Sequence, residues 1–209
     1  MSYANPQMYS KSFEPGNSAK IAPYGVTRVA DQNLKGEFLV SMPALKGDYF
    51  QASVTFLIDH NTDGAFGLVI NNPTDMQLQD IFPELEGTTQ QVDLLEGGPV
   101  EQDRIFFLHT SDKHYEHSLV VNPETTLSTS PELISDLATQ DSPEHLLAII
   151  GYAGWGAGQL EAELLADAWL ITPFDRNILF SRDHETKPQA AASKMGIDLN
   201  LIGPTSGHG

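Results

Sequence analysis

Two short apolar runs on either side of an Asp-Gly pair constrain the fold more than any other feature. Residues 53–58 are rich in β-branched and aromatic side chains, and residues 65–70 form a second apolar run. Between them lies the polar segment 59–64, which ends in Asp63 and Gly64. An Asp-Gly pair flanked by strand-like runs is typical of a β-hairpin. The sequence therefore predicts an antiparallel hairpin with its turn at 59–64.

Short strands and a few helices are predicted along the rest of the chain from Gly36. Apolar runs indicate strands at 38–40, 92–95, 104–109, 118–121 and 146–150. Helical spacing or capping signals indicate helices at 76–85, 130–137, 156–166 and 188–195. Strands outnumber helices and do not alternate with them regularly, so we expect an α+β fold rather than a doubly wound parallel sheet.

The first 35 residues differ from the rest in pattern. Their apolar residues follow no sustained period, and proline and glycine interrupt them repeatedly. We predict a flexible N-terminal extension over 1–35 and a single domain over 36–209. Within the extension, 21–29 is the most apolar segment and the one candidate for an added edge strand.

The charge balance argues against direct binding to nucleic acid. The chain has 11 Lys and Arg residues against 28 Asp and Glu, a net charge of −17. Affinity for nucleic acid depends mainly on Lys and Arg contacts to phosphates, and an acidic surface repels them. The sequence also has no helix-turn-helix pattern, basic helix or zinc module. We expect any partner to be a protein or a small molecule.

The chain contains no cysteine, which excludes disulfides, thiolate nucleophiles and sulfur-ligated metals. This favours a reducing compartment. No apolar run approaches the roughly 20 residues of a membrane helix, and the first 20 residues do not resemble a signal peptide. The predicted location is cytoplasmic, without a membrane partner.

The glycine-rich segment 151–158 follows an apolar run and precedes a predicted helix, where phosphate-binding loops occur. Ala157 and Gly158 stand where a P-loop needs Lys and Ser or Thr, and the glycines do not form GxGxxG. Glu161 and Glu163 would repel a phosphate at that helix start. We interpret the segment as a tight strand-to-helix turn packed around Trp155, and expect no cofactor.

Candidate catalytic groups are few. Seven histidines are present, but no HExxH or comparable metal-ligand spacing occurs, so no metal site is predicted. The nucleophile motif GxSxG is also absent. What remains is a histidine beside a carboxylate: His60 or His109 with Asp59, Asp63 or Glu161. Such a pair needs hydrogen-bonding contact inside a cleft to act as a general base.

Five blocks occur in a specific order along the domain. They read GEFLVSMPAL (36–45), TFLIDHNTDGAFGLVINNP (55–73), LLEGGPVEQDRIFFLHT (94–110), LSTSPELISDLA (127–138) and IIGYAGWGAGQLEAELLADAWLITPFDRNILF (149–180). Together they resemble the AlgH/YqgE family, from Gly36 to the end of the chain. Phe66 and Gly156 depart from its usual residues. The resemblance implies an α+β fold with a mixed β-sheet curled into a pseudo-barrel and helices packed around it. The resemblance implies no reaction and no cofactor. The family carries a label as a transcriptional regulator linked to alginate production.

The residues shared with the family include many glycines and aromatics, which suit a binding groove better than catalysis. Polar, aromatic and glycine-rich segments at strand ends are also where binding residues often lie. The hypothesis is a groove formed by His60, Asn61, Gly64, Gly97, Gly98, Pro99, His109, Tyr152, Trp155, Gln159 and Glu161. Through it a non-enzymatic regulatory or binding protein would affect transcription indirectly. The alternative is a hydrolase-type enzyme that uses His60 or His109 with a nearby carboxylate.

Overall fold

Ten strands and five short α-helices form in the part of the chain that the computed structural model describes, residues 33–45, 47–88 and 92–202. The strands are β1 Phe38–Ser41, β2 Val54–Asn61, β3 Gly64–Val69, β4 Pro73–Gln77, β5 Asp93–Glu96, β6 Val100–Thr110, β7 Ser118–Asn122, β8 Thr125–Ser128, β9 Leu146–Gly156 and β10 Trp169–Thr172. The helices are α1 Leu78–Ile81, α2 Glu132–Thr139, α3 Gln159–Leu165, α4 Arg176–Leu179 and α5 Lys187–Ser193.

The strands form one mixed sheet in the order β10-β1-β2-β3-β9-β6-β8-β7, with β5 and β4 branching from β9. Only the β5–β9 pairing is parallel among the described strands. The sheet curls until β7 approaches the chain before β1, where Lys35 Nζ donates to the Val120 carbonyl at 3.0 Å. The predicted α+β fold with a curled sheet is confirmed.

Burial on both faces of the sheet explains its apolar strands. The main core cluster gathers side chains such as Phe38, Phe56 and Ile149, with Leu179 of α4 and Ala191 of α5. A second cluster packs α1 and α2 against β5, β6 and β9, and a third packs α3 against β1, β2, β9 and β10. Strands buried on both faces lose the simple alternation of apolar and polar residues.

The hairpin prediction is confirmed, but its turn is shorter than predicted. β2 continues to Asn61 and β3 begins at Gly64, which pairs with Asn61, so only Thr62 and Asp63 lie between the strands. His60 consequently belongs to a strand rather than to an exposed turn.

The helix predicted at 76–85 is wrong in extent. Residues 73–77 pair with β5 as strand β4, α1 covers only Leu78–Ile81, and a 3₁₀ turn follows at Pro83–Leu85. Pro83 has no amide hydrogen to donate, which ends the α-helix before it. The short strands β8 and β10 were also missed.

The glycine-rich segment is strand rather than turn up to Gly156. Its residues 153–156 pair with β3, so the turn shrinks to Ala157 and Gly158, and α3 begins at Gln159. The segment is extended because β3 supplies a partner from elsewhere in the sequence.

Most of the predicted N-terminal extension, including the candidate edge strand at 21–29, lies outside the described residues. Leu34, inside the predicted extension, is buried in the third cluster. No helix within the described ranges is long and apolar enough to cross a membrane.

Candidate functional site

His60 lies near the end of β2 and is 5% exposed. Its Nδ1 accepts the backbone N–H of Leu34 at 3.1 Å, and its Nε2 lies 3.0 Å from Oε1 of Glu161 on α3. Because Nδ1 accepts, the ring proton is on Nε2 and is donated to the carboxylate. His60 therefore links three parts of the fold, and both of its nitrogens are engaged.

The second acid of α3 also has a structural contact. Glu163 Oε2 accepts the indole N–H groups of Trp155 and Trp169, each at 2.8 Å, and its Oε1 accepts from Gln159 Nε2 at 2.9 Å. Phe50 packs against both indoles, with ring centroids 6.2 Å from Trp155 and 5.5 Å from Trp169. These contacts fix α3 on the outer face of the sheet and leave Trp155 mostly buried.

A shallow pocket of about 210 Å³ opens at the end of the hairpin. We call it the hairpin-end pocket; it is lined by Asp59, Asn61, Asp63, Gly64, Ala65, Phe66 and Trp155. Asn61 donates to Asp59 Oδ2 at 3.1 Å and accepts the backbone N–H of Asp63 at 2.8 Å, so its amide organises the rim. The lining residues of the pocket include two acids and two aromatic residues; the Phe66 ring packs on Tyr152 toward the main core, whereas Trp155 is 6% exposed and packs under α3. His60 and Glu161 are not among its lining residues.

The Gly97–Pro99 loop lies at a close crossing of backbones. Gly97 donates to the Ile150 carbonyl at 2.8 Å and accepts from the Val69 N–H at 2.9 Å. A Cβ on Gly98 would lie 2.1 Å from backbone atoms of Tyr152. The two glycines are thus explained by packing of the main chain, and Pro99 is exposed beside them.

Tyr152 and Trp155 lie on opposite faces of β9. The Tyr152 ring packs on Phe66 and Phe106 against the main core cluster, whereas Trp155 belongs to the third cluster, which packs under α3. The structure therefore brings His60, Asn61, Gly64, Trp155, Gln159 and Glu161 together around the hairpin end. It does not bring Tyr152 or the Gly97–Pro99 loop into one concavity with them.

His109 is fully buried and distant from His60. It pairs with Leu146 at the start of β9, whereas Trp155 lies near the other end of that 11-residue strand, up to about 35 Å long when extended. Its Nδ1 donates to the Thr110 carbonyl at 2.8 Å, and its ring packs edge-on against Tyr115. Burial lowers the pKa of His109, which favours the neutral ring. His109 is therefore not part of the hairpin-end pocket.

Sequence reasoning missed the double contact of Glu163 and the inclusion of Phe66 in the pocket wall. In the sequence, Glu163 is only one of two acids in the first turns of a predicted helix. Its contact with Trp169 depends on how β10 returns to the sheet, and no local pattern indicates that. Among the described residues, no group of three or more His, Cys, Asp or Glu side chains is placed to hold a metal ion.

A family model described as AlgH-like matches residues 38–200. The chain belongs to the AlgH-like family. The UPF0301 protein AlgH of Pseudomonas aeruginosa is 41% identical over 181 residues, which cover 84% of this chain and 95% of that protein. A UPF0301 protein of Thioalkalivibrio sulfidiphilus is 39% identical over 183 residues, 86% of this chain and 98% of the relative. The resemblance predicted from the five sequence blocks is confirmed.

Solved structures agree with this assignment. The solution structure of AlgH from Pseudomonas aeruginosa matches with a TM-score of 0.70 at 39% identity, covering 88% of this chain and all of that one. A crystal structure of a Corynebacterium diphtheriae protein matches with a TM-score of 0.66 at 19% identity, covering 80% of this chain and 90% of that one. The second likeness shows the fold alone.

Proposed function

We propose that this AlgH-like protein is a non-enzymatic binding protein that recognises a basic segment of a partner protein through the hairpin-end pocket. The observation that carries the proposal is the presence of two acids, Asp59 and Asp63, in the lining of one open pocket that aromatic residues border. A Lys or Arg side chain suits such a site, because its charge pairs with carboxylates and its stem packs on aromatic rings.

The charge of the whole chain supports a basic partner. At −17, its field attracts positively charged segments and raises their association rate at low salt. The same field disfavours DNA, so an effect on transcription would pass through the bound partner. The proposal keeps the cytoplasmic location predicted from the sequence.

The hydrolase alternative has one observation in its favour, the 3.0 Å contact between His60 and Glu161. A general base, however, needs a ring nitrogen free to accept a substrate proton. Nδ1 of His60 already accepts from Leu34, and Nε2 already donates to Glu161. The contact is better explained as a structural link, and binding is the function we favour.

A displayed peptide library selected on the wild-type protein tests the proposal. We expect enrichment of Lys- and Arg-rich peptides whose affinity falls at least about fivefold in the double variant Asp59→Asn/Asp63→Asn, since each exposed ion pair contributes up to about 1 kcal/mol. The matched control is Asp75→Asn/Glu116→Gln, which removes the same charge at exposed positions outside the pocket.

Two results would overturn the proposal. One is enrichment of peptides without basic residues. The other is an equal loss of affinity in the pocket variant and the control variant, which would indicate attraction to overall charge rather than to this pocket.

A further inference from the structure

A second and larger pocket lies at the base of the hairpin, away from the hairpin-end pocket. Its volume is about 400 Å³, and its walls include Tyr49 of the loop before β2, Ser53, the pair Asn71 and Asn72 after β3, and Glu185 before α5. This volume falls within the range of small-molecule sites, roughly 300–1,000 Å³. We call it the hairpin-base pocket.

The wall of this pocket is held in a defined conformation. Asn71 Nδ2 donates to the carbonyl of Ala52 at 2.9 Å, and Asn71 Oδ1 accepts the N–H of Val54 at 2.7 Å. Ala52 has φ +58°, in the left-handed region that an alanine rarely adopts. Backbone strain of this kind persists where the surroundings enforce it, and it is concentrated at ligand sites.

Glu96 orients polar side chains of the pocket wall through hydrogen bonds. Its carboxylate accepts from Asn72 Nδ2 at 3.1 Å and from Gln102 Nε2 at 3.0 Å. Burial, together with the nearby Glu96 carboxylate, raises the pKa of Tyr49. Ser53, at 5% exposed, has a hydroxyl without a hydrogen-bond partner among the described residues. The pocket wall therefore has a fixed arrangement of polar side chains, with one buried hydroxyl that no described residue satisfies.

The charge of the pocket selects the class of ligand. Among the described residues, no Lys or Arg lines it, whereas Glu185 lines it and Glu96 accepts from the side chain of Asn72 in its wall. Lys187 is close in sequence, but its Nζ donates to the carbonyls of Ile70 and Leu179 and is buried. The described residues of this wall therefore offer a negative partner to a ligand and no positive one.

We propose that the hairpin-base pocket binds a small organic cation that carries a primary ammonium group. The ammonium pairs with the Glu185 carboxylate and contacts the ring of Tyr49, which is 42% exposed. The side-chain amide oxygens of Asn71 and Asn72 supply further acceptors. This proposal does not depend on the function proposed for the hairpin-end pocket.

The test is titration of the ¹⁵N-labelled full-length protein with the diamine putrescine, followed by amide chemical shifts. We expect saturable shifts at residues 49–53, 71 and 72, with a dissociation constant near or below about 1 mM. Glu185→Gln should weaken binding by up to about fivefold through loss of the ion pair. Glu84→Gln, an exposed acid outside the pocket, should leave it unchanged. The dianion succinate should cause no shifts in this region.

Three outcomes would overturn the proposal. They are the absence of saturable shifts up to about 20 mM putrescine, shifts centred on Asp59 and Asp63 instead, and equal binding by Glu185→Gln and wild type. Tyr49→Leu provides a second check, because it removes the aromatic face while the surface position keeps an apolar side chain. Unchanged affinity in both Tyr49→Leu and Glu185→Gln would also contradict it.

Discussion

Nε2 of His60 donates a hydrogen bond to Oε1 of Glu161 at 3.0 Å, and this contact joins β2 to α3. Because Nδ1 of the same ring accepts from Leu34, this one side chain also ties down the chain that precedes β1. The contact was expected as a possible catalytic pair, and its surroundings make it a structural link. The first two predictions follow from it.

Replacing His60 with alanine should destabilise the domain by about 2–4 kcal/mol, since a buried N–H and a carboxylate both lose their partner. Glu161→Gln is the matched variant, because its amide oxygen still accepts from Nε2; its loss should stay within about 1 kcal/mol. Urea unfolding monitored by fluorescence gives both values. A His60→Ala loss no larger than that of Glu161→Gln would contradict the link.

The proton positions can be measured directly. Long-range ¹H–¹⁵N spectra at neutral pH should show the His60 ring proton on Nε2, and His109 neutral and protonated on Nδ1. The reason is that each protonated nitrogen faces an acceptor, while Nδ1 of His60 faces a donor. A His60 ring protonated on Nδ1 would favour the hydrolase alternative instead.

Glu163→Ala should destabilise the protein by about 2–4 kcal/mol, because two buried indole N–H groups lose their acceptor. The chain has only 2 tryptophans, Trp155 and Trp169, so intrinsic fluorescence reports on these two rings alone. We expect a red-shifted emission maximum in the folded variant. Glu163→Gln keeps one acceptor oxygen and should give an intermediate result in both measurements; a variant as stable as wild type would contradict the role of this carboxylate.

Lys187 makes stability depend on pH. Burial lowers its pKa from 10.5 to about 7, while nearby Asp93 partly opposes the shift. In the unfolded chain this lysine stays protonated up to about pH 10, so between pH 7 and 10 the unfolded state binds more protons than the folded state. The free energy of unfolding should therefore rise with pH across this window, by at most about 1.4 kcal/mol per unit from this group.

The control for this effect is a pair of methionine variants. Lys187→Met should lose the rise in stability between pH 7 and 10, whatever its stability at a single pH. Lys194→Met, at an exposed position, should keep it. Equal pH slopes in wild type and Lys187→Met would show that another group causes the dependence.

Gly98→Ala should prevent folding or cost more than about 3 kcal/mol, because the new Cβ would lie 2.1 Å from the backbone of Tyr152. Gly87 also has positive φ, but no described residue lies within 4 Å of its Cβ position. Gly87→Ala should therefore cost only about 1 kcal/mol, the strain of the left-handed backbone itself. Similar losses in the two variants would mean that the Gly98 crossing tolerates displacement.

Local patterns predicted the hairpin, because both strands and the turn between them lie within 20 residues of sequence. They did not predict that residues 151–156 form a strand, since those glycines favour a turn until β3 supplies hydrogen bonds. In the candidate site, too, some neighbours follow from local sequence and others depend on the folded sheet. Asn61, Gly64 and Trp155 of the predicted groove line one pocket, whereas strand alternation puts the side chain of Tyr152 on the other face.

The position of β9 in the chain has a consequence during synthesis. This strand pairs with β3, β5 and β6, all of which precede it, and β10 then pairs back with β1. A nascent chain that has emerged only as far as β8 therefore exposes three strands without a shared partner, a state in which free edges invite pairing with other chains. We therefore expect the sheet to be completed on the ribosome only after residue 156 has left the exit tunnel.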